Sequence, residues 1–298
     1  MNISSFLIGY QAGKKAGGGS SGSGGGGSLP AGMYFSRLDV PVANNYHKQW
    51  VELAGVLYEF SRTGTGNGNE CNVSKFVDGV WQEVIASATL AFGNPSQPRM
   101  VELDGKIHIL GGDTKSHYIF DGVTVTASTN CPGSVPTRAV AVCNEELFVC
   151  ISASPRSIQK WNPSSNSWEA VTTFSGYASR NLVSANNKLY YTEGQNLFLW
   201  ENGTATQVAT LSSNFYASAQ LPMWSVGESI YFISDDYGKM VCKVSKYNTV
   251  TGVESVVGTM INPMATQSIN TIQGKLVWLR GCNDGYVPFV LHEVEATE

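Results

Sequence analysis

The sequence predicts an all-β protein, a β-propeller of six blades with four antiparallel strands in each blade. Three observations lead to this fold class. One hairpin pattern recurs six times within residues 31–298, and the recurrence has a period of 40–50 residues. The composition also suits tight turns rather than helices: 14% of the 298 residues are charged and 32 are glycine, whereas globular domains average about 25% charged residues.

Each repeat opens with two apolar strands joined by a turn of small or polar residues, which is the pattern of a β-hairpin. The six hairpins read WVELAGVLYEF (50–60), MVELDGKIHIL (100–110), AVAVCNEELFVC (139–150), NLVSANNKLYYT (181–192), MWSVGESIYFI (223–233) and INTIQGKLVWL (269–279). A second hairpin follows in five units, at residues 74–84, 118–128, 158–171, 197–208 and 245–256. Two hairpins in each period of 40–50 residues indicate propeller blades.

After its first hairpin the last unit has one further strand, PFVLHEVE (288–295), and therefore three strands instead of four. A circular propeller must join its last blade to the beginning of the repeat region, because an unpaired strand edge invites association with other chains. The run MYFSRLDVPVA (33–43) lies before the first hairpin. We therefore predict that this run supplies the missing outer strand and closes the ring.

The core candidates are apolar and aromatic. The seven tryptophans are spread through the units and are predicted to pack between neighbouring blades. Cys143 and Cys150 lie in apolar strands and are predicted to be small buried thiols. His108 lies between apolar residues of a predicted strand and is predicted to be a core residue.

One unit resembles the Kelch repeat closely. The segment IQKWNPSSNSWEAV (158–171) combines an aromatic strand, an Asn-Pro turn and a second Trp, and a double glycine follows an apolar strand at Ile109-Leu110-Gly111-Gly112. The chain is thus similar to the Kelch family over about 260 residues, although only one copy looks like the consensus. The resemblance implies a propeller whose first strands line a central channel.

The N-terminal region predicts two further zones. In residues 1–15 the apolar side chains Ile3, Phe6, Leu7 and Tyr10 follow the i, i+3, i+4, i+7 spacing of a short helix. This segment is either a frayed tail or a docking peptide, since so short a helix needs a partner surface. Residues 16–30 contain AGGGSSGSGGGGS, a flexible Gly/Ser linker that is either native or a cloning remnant, with an average span of roughly 20 Å.

Several functions are not supported by the sequence. A net charge of −4 without a Lys/Arg-rich run argues against nucleic-acid binding, and no apolar stretch reaches the length of a membrane span. The six cysteines form no C-x-x-C pair and the four histidines are scattered, so we expect no metal and no cofactor. Neither G-x-S-x-G nor H-E-x-x-H occurs, and we assign no catalytic residues.

A ring of long hydrogen-bond donors is the candidate binding site. Six residues lie about seven positions before the first turn of each unit: Lys48, Arg99, Arg138, Arg180, Gln220 and Gln267. Arg binds carboxylate or phosphate through two parallel hydrogen bonds, so the ring predicts a channel mouth for an anionic or hydroxyl-rich ligand. The alternative is that these side chains brace neighbouring blades, which is the role that the resemblance to Kelch repeats implies for an Arg at this position.

The layout of an apolar peptide, a tether and a rigid domain favours a non-enzymatic binding or adhesion module on a larger assembly. The leader FLIGYQAGKK followed by a Gly-rich tract is similar to the openings of bacteriophage structural proteins. This similarity implies a virion protein, assembled in the cytoplasm of a bacterial host, whose propeller contacts a host-surface glycan or protein. The alternatives are a Kelch-type sugar mutarotase or epimerase acting on an acidic sugar and a cytoplasmic protein-interaction scaffold.

Overall fold

The recurring hairpins fold into antiparallel sheets throughout the part of the chain that the computed structural model describes. These residues are 32–37, 48–62, 70–90, 98–111, 114–135, 139–151, 155–174, 181–212, 223–233, 241–261, 266–272, 275–282 and 285–294. They contain strands, turns and bends but no helix, and all of the named strands belong to four-stranded sheets. The predicted all-β propeller with four-stranded antiparallel blades is confirmed.

Five blades are each built from four consecutive strands. Blade 1 consists of β2 (Lys48–Leu53), β3 (Val56–Arg62), β4 (Glu70–Val77) and β5 (Val80–Thr89). Blade 2 consists of β6 (Pro98–Leu103), β7 (Lys106–Gly111), β8 (His117–Phe120) and β9 (Val125–Ala127). Blade 3 consists of β10 (Val140–Cys143), β11 (Glu146–Ile151), β12 (Arg156–Asn162) and β13 (Ser167–Phe174). Blade 4 consists of β14 (Leu182–Ala185), β15 (Lys188–Glu193), β16 (Asn196–Glu201) and β17 (Thr204–Thr210), and blade 5 of β18 (Met223–Val226), β19 (Ser229–Ile233), β20 (Val241–Asn248) and β21 (Glu254–Ile261).

The remaining sheet, here called the closing sheet, joins the two ends of the described chain. It consists of β22 (Thr266–Ile272), β23 (Lys275–Cys282), β24 (Gly285–Val294) and β1 (Gly32–Arg37), and β1 is its outer strand. The predicted pairing of the N-terminal run with the last unit is confirmed, since Gly32 pairs with Val294 and Arg37 with Phe289. The predicted count of six blades is corrected to five blades of four consecutive strands, and the closing sheet takes its fourth strand from the N-terminal run.

The closing sheet contacts the first and fifth blades. Its inner strand β22 lies beside β2, and its outer strand β1 lies beside β21. Among the other inner strands, β2 lies beside β6, β6 beside β10, β10 beside β14 and β14 beside β18. The side-chain amide of Asn270 in β22 donates a hydrogen bond to the Trp50 carbonyl oxygen in β2, at 2.5 Å.

The sheets give the propeller two different faces. Short turns connect the first strand to the second and the third to the fourth, and we call this side the turn face. At Asp104–Gly105 both residues have positive φ, 52° and 68°, as the tightest hairpin turns require, and glycine adopts this conformation at low cost. The turns of blades 3, 4 and 5 touch, because the Asn144 side chain donates to the Asn187 carbonyl and the Asn186 N–H donates to the Gly227 carbonyl.

The opposite side, the loop face, is where the inner strands of the blades begin. The direction in which β1 and β24 run shows on which face each of these strands begins and ends. The end of β22 and the start of β23 lie together, since Ile272 pairs with Lys275, and Leu276 pairs with Leu291, so β24 ends at Val294 on the turn face. Gly32 lies opposite Val294 and is therefore on the turn face as well.

The core lies between the blades. One apolar cluster joins blades 1 and 2, a second joins blades 2, 3 and 4, and a third joins blades 4 and 5. Trp50, Trp161 and Trp224 are buried, and Trp81, Trp168 and Trp200 are partly buried, as predicted. Cys143 and Cys150 are buried free thiols, which confirms their assignment. No helix among the described residues has the length and apolarity needed to cross a membrane.

Candidate functional site: the central channel

The inner strands of blades 2 to 5 and of the closing sheet surround a cavity of about 170 Å³. Its lining combines one cation, one aromatic ring, three neutral polar side chains and several aliphatic ones. The lining residues are Arg99, Val101, Val140, Ala141, Val142, Leu182, Val183, Ser184, Trp224, Ser225 and Asn270. No carboxylate belongs to this lining among the described residues, so its only formal charge there is positive.

Register explains which residues face this cavity. Each inner strand ends at the residue that forms the last pair with the second strand. In five sheets the residue two positions before that end lines the cavity, and these residues are Val101, Ala141, Val183, Trp224 and Asn270. Sequence reasoning missed Trp224, Asn270, Ser184 and Ser225. Aligning the repeats on their hairpin pairs instead of on donor side chains would have found the first two.

Of the two members of the predicted donor ring whose side chains are described, Lys48 and Arg99, it is Arg99 that lines the cavity. It is partly buried near the start of β6, and burial lowers the pKa of its guanidinium to about 10. The group therefore remains protonated at neutral pH. A partly buried cation attracts an anion more strongly than the same cation does in water, because its surroundings screen the charge less.

Lys48 is placed differently. It is fully buried, and its ammonium contacts Glu59 Oε1 at 2.5 Å, while Trp50 Nε1 donates to Glu59 Oε2 at 2.9 Å. This network lies within blade 1 and has the character of a brace.

The spacing treated Lys48 and Arg99 as equivalent positions, and the register corrects this. Lys48 lies five residues before Leu53, whereas Arg99 lies four residues before Leu103, and both leucines end their hairpin ladders. A shift of one residue turns a side chain to the other face of its sheet. Pro98 occupies the position in blade 2 that corresponds to Lys48.

The other predicted site residues lie wholly or partly outside the described part of the chain. Gln267 lies in β22, but its side chain is outside the described part of the chain. Arg138, Arg180 and Gln220 lie outside the described residues, as do Ile3, Phe6, Leu7 and Tyr10 of the predicted docking segment.

Two hydrogen bonds fix the polar lining. Ser225 Oγ donates to the Ser184 carbonyl oxygen at 2.5 Å and ties blade 5 to blade 4, as Asn270 ties the closing sheet to blade 1. Trp224 is 2% exposed, and its indole N–H is buried without an acceptor from the described residues. A buried donor without an acceptor carries an energetic cost that a bound acceptor would remove.

A pair of buried histidines lies away from the cavity, between blades 2 and 3. His108 Nδ1 and His117 Nε2 are 2.9 Å apart, and His117 meets the Trp161 ring edge-on at 4.8 Å between centroids. Burial is the main reason that the pKa of His108 falls to about 4 and that of His117 to about 3, and each is therefore neutral at pH 7. The assignment of His108 to the core is confirmed.

We expect this pair to make the protein sensitive to acid. Unfolded histidine has a pKa of about 6.5, so between that pH and about pH 3–4 the unfolded chain binds more protons than the folded one. The contribution of the two neutral histidines to the free energy of unfolding is fully present above about pH 6.5. It is lost as the pH is lowered, which reduces the free energy of unfolding by on the order of a few kcal/mol. Urea unfolding midpoints measured from pH 7 to pH 4 test this. The variant H108Q/H117Q should show a shallower pH slope whatever its stability at pH 7, and an equal slope would contradict the assignment.

Metal chemistry has no support in this part of the protein. No group of three or more His, Cys, Asp or Glu side chains is arranged to hold an ion among the described residues. Burial raises the pKa of the Cys71 and Cys131 thiols to about 12, so these thiols are protonated and poor ligands at neutral pH.

Comparison with known proteins finds similar solved structures but no matching family. No protein-family model matches the chain, and no curated protein does. Among solved structures the chain is similar to TolB from Acinetobacter baumannii, with 14% identity, a TM-score of 0.49, and coverage of 80% of this chain and 63% of that one. It is also similar to the structure of a nidogen/laminin complex, with 10% identity, a TM-score of 0.46, and coverage of 69% and 75%. The chain thus spans less than two thirds of the TolB chain, and neither similarity identifies a function.

Proposed function

We propose that this protein is a displayed binding module, a Kelch-like propeller in which the closing sheet serves as a sixth blade. The observation that carries the proposal is the position of the chain ends relative to the channel. Gly32, where the N-terminal segment joins the propeller, lies on the turn face, whereas Arg99 enters the cavity near the loop face. A module anchored through its N-terminal segment would therefore direct the loop face away from the anchor.

The proposed anchor is the segment of residues 1–15 with its apolar side chains Ile3, Phe6, Leu7 and Tyr10. The linker of residues 16–30 would let the propeller turn relative to the assembly. The leader's similarity to phage structural proteins supports a virion, such as a tail or fibre, as that assembly. In this setting the partner of the propeller is a glycan or protein on the host surface.

The proposed ligand contact is the channel, with Arg99 as its cation. A carboxylate receives charge-assisted hydrogen bonds from a guanidinium, which are about twice as strong as neutral ones. Lys48 is left out of the proposed contact, because Glu59 already neutralises it inside blade 1. A ligand with at least one anionic group suits this lining best.

The test is a binding screen of the full chain on an array of acidic sugars and bacterial wall polymers. The variant Arg99→Met removes the cation and keeps most of the aliphatic stem. Lys243→Met removes an exposed cation of blade 5 outside the cavity and serves as the matched control. We expect binding that falls at least tenfold in Arg99→Met and is unchanged in Lys243→Met. Equal binding by all three proteins would overturn the channel site, and no binding to any surface polymer would count against the adhesion function itself.

A further inference from the structure

The turn face is unevenly apolar, and its apolar part lies where the N-terminal segment enters the propeller. We propose that the segment of residues 1–15 docks on the turn face of blade 5 in its own chain. In the free protein its apolar stripe covers the exposed valines there. This inference goes beyond the proposed function, because it states where the segment lies before any assembly binds it.

Most of the exposed valines among the described residues lie in or beside the short turns of the turn face. Blade 5 has three of them, Val226, Val250 and Val253, which are 45%, 61% and 59% exposed. Blades 1 and 2 have one each, Val80 and Val123. The described turns of blades 3 and 4 are rich in Asn and have no exposed valine. The apolar residues are thus concentrated on one side of this face, and most strongly on blade 5.

Hydrogen bonds gather the three valines of blade 5 into one surface, here called the valine patch. The β20–β21 turn carries Val250 and Val253. Thr249, at the start of this turn, donates two hydrogen bonds to the Glu228 carbonyl oxygen, from its N–H at 2.9 Å and from its hydroxyl at 2.7 Å. Glu228 lies in the β18–β19 turn, two residues after Val226. Exposed apolar side chains that occur singly are ordinary, but a contiguous patch marks an interaction site.

The N-terminal segment joins the propeller beside this patch. The strands β1 and β21 lie next to each other, and both begin on the turn face, at Gly32 and at Glu254. Val253 directly precedes Glu254. Residues 11–31 join the apolar stripe to Gly32, and a Gly-rich chain of this length spans about 25 Å on average. Neighbouring sheets pack only about 10 Å apart, so this tether lets the stripe reach the valine patch.

The segment fits the valine patch in its chemistry as well. The sequence predicts a short helix in residues 1–15 that needs a partner surface, and its apolar stripe consists of Ile3, Phe6, Leu7 and Tyr10. A short amphipathic helix is bound when an apolar surface covers such a stripe. Lys14 and Lys15 follow the stripe, and Glu228 at the patch is an exposed carboxylate of opposite charge. A flexible tether holds its segment at an effective concentration on the order of millimolar, so even a weak contact is occupied.

The experiment measures how fast N-ethylmaleimide modifies a thiol placed in the valine patch of the full chain. Thr251→Cys puts an exposed thiol between Val250 and Val253 and keeps both valines. Ser165→Cys is the matched control in blade 3, because each of these two residues is exposed and donates its N–H to the side chain of an Asn three positions earlier. The unaltered chain gives the background rate of the native cysteines.

We expect the thiol of Thr251→Cys to react at least fivefold more slowly than that of Ser165→Cys. Adding Phe6→Ser/Leu7→Ser, which removes the centre of the stripe, should raise the rate of Thr251→Cys to that of the control. Adding Val250→Ser/Val253→Ser, which removes the patch and leaves the stripe, should do the same. Neither pair of substitutions should change the rate of Ser165→Cys.

Three results would overturn the inference. An unchanged rate of Thr251→Cys after Phe6→Ser/Leu7→Ser would show that the stripe does not cover the valine patch. A rate of Thr251→Cys that rises when the protein is diluted would show that the segment of a second copy covers it. An equal acceleration of Ser165→Cys would show that the segment does not select blade 5. The array screen is independent of all three, because it measures binding at the channel.

Discussion

Removing residues 1–37 is expected to destabilise the propeller by on the order of 5 kcal/mol, a large part of the 5–15 kcal/mol that stabilises an ordinary domain. The deletion takes away β1, which forms six ladder pairs with β24 from Gly32–Val294 to Arg37–Phe289. It also removes the strand of the closing sheet that lies beside β21 of blade 5. The loss would leave β24 as an unpaired edge, which further predisposes the protein to aggregate.

The matched control is the deletion of residues 1–28. It removes the apolar segment and the Gly/Ser tract but leaves β1 intact, so its unfolding midpoint in urea should stay close to that of the full chain. The deletion of residues 1–37 should unfold at much lower denaturant concentration and elute partly as aggregate in size-exclusion chromatography. Equal midpoints for the two deletions would show that β1 does not hold the ring closed.

Lys48→Met is expected to cost about 3–5 kcal/mol, because it leaves the Glu59 carboxylate buried without its counter-charge. Trp50 Nε1 would remain as a donor to that carboxylate, but a single neutral donor compensates a buried charge poorly. The measurement is the free energy of unfolding at pH 7. A loss below about 1 kcal/mol would instead indicate a solvated cation and would return Lys48 to the set of ligand-binding candidates.

Two further variants make this result specific. Glu59→Gln keeps an acceptor for the Trp50 N–H, so the double variant Lys48→Met/Glu59→Gln should be more stable than Lys48→Met alone. Lys160→Met removes the lysine of a surface pair, in which Lys160 Nζ lies 3.0 Å from Glu146 and the side chains are 30% and 46% exposed. It should cost less than about 1 kcal/mol, because water already screens that pair.

Much of the fold could be predicted from the sequence because its signals are local. The alternation of apolar residues around turns such as Asp104–Gly105 depends only on the strand period and on turn conformation, and it located the paired hairpins. The pairing of β1 with β24 was predictable for a related reason, since the last unit lacks a fourth strand and the chain offers a strand before its first hairpin. The predicted number of blades, six, exceeded the five that are built from consecutive strands, because the repeat count included the closing sheet, whose outer strand comes from the other end of the described chain.

The candidate site was predicted less well, because it depends on register. Counting back from the turns placed Lys48 and Arg99 in one ring, but a difference of one residue sends them to opposite faces of their sheets. Trp224 and Asn270 are an aromatic and an amide side chain, and they share the cavity because they occupy the same register position. Neither side chain is recognisable as a site residue until the inner strands are side by side.

The sequence by itself determined the all-β class, the four-stranded unit, the turn positions and the full or partial burial of the six tryptophans whose side chains are described and of Cys143 and Cys150. Each of these follows from residue period, turn chemistry or hydrophobicity over a short window. Only the tertiary structure decided that Arg99 meets the cavity while Lys48 is held by Glu59, and that Gly32 and Val294 end on the turn face. The reason is that these facts depend on strand register and on contacts between residues far apart in the sequence, such as Asn270 with Trp50, which are 220 positions apart, and no local pattern encodes them.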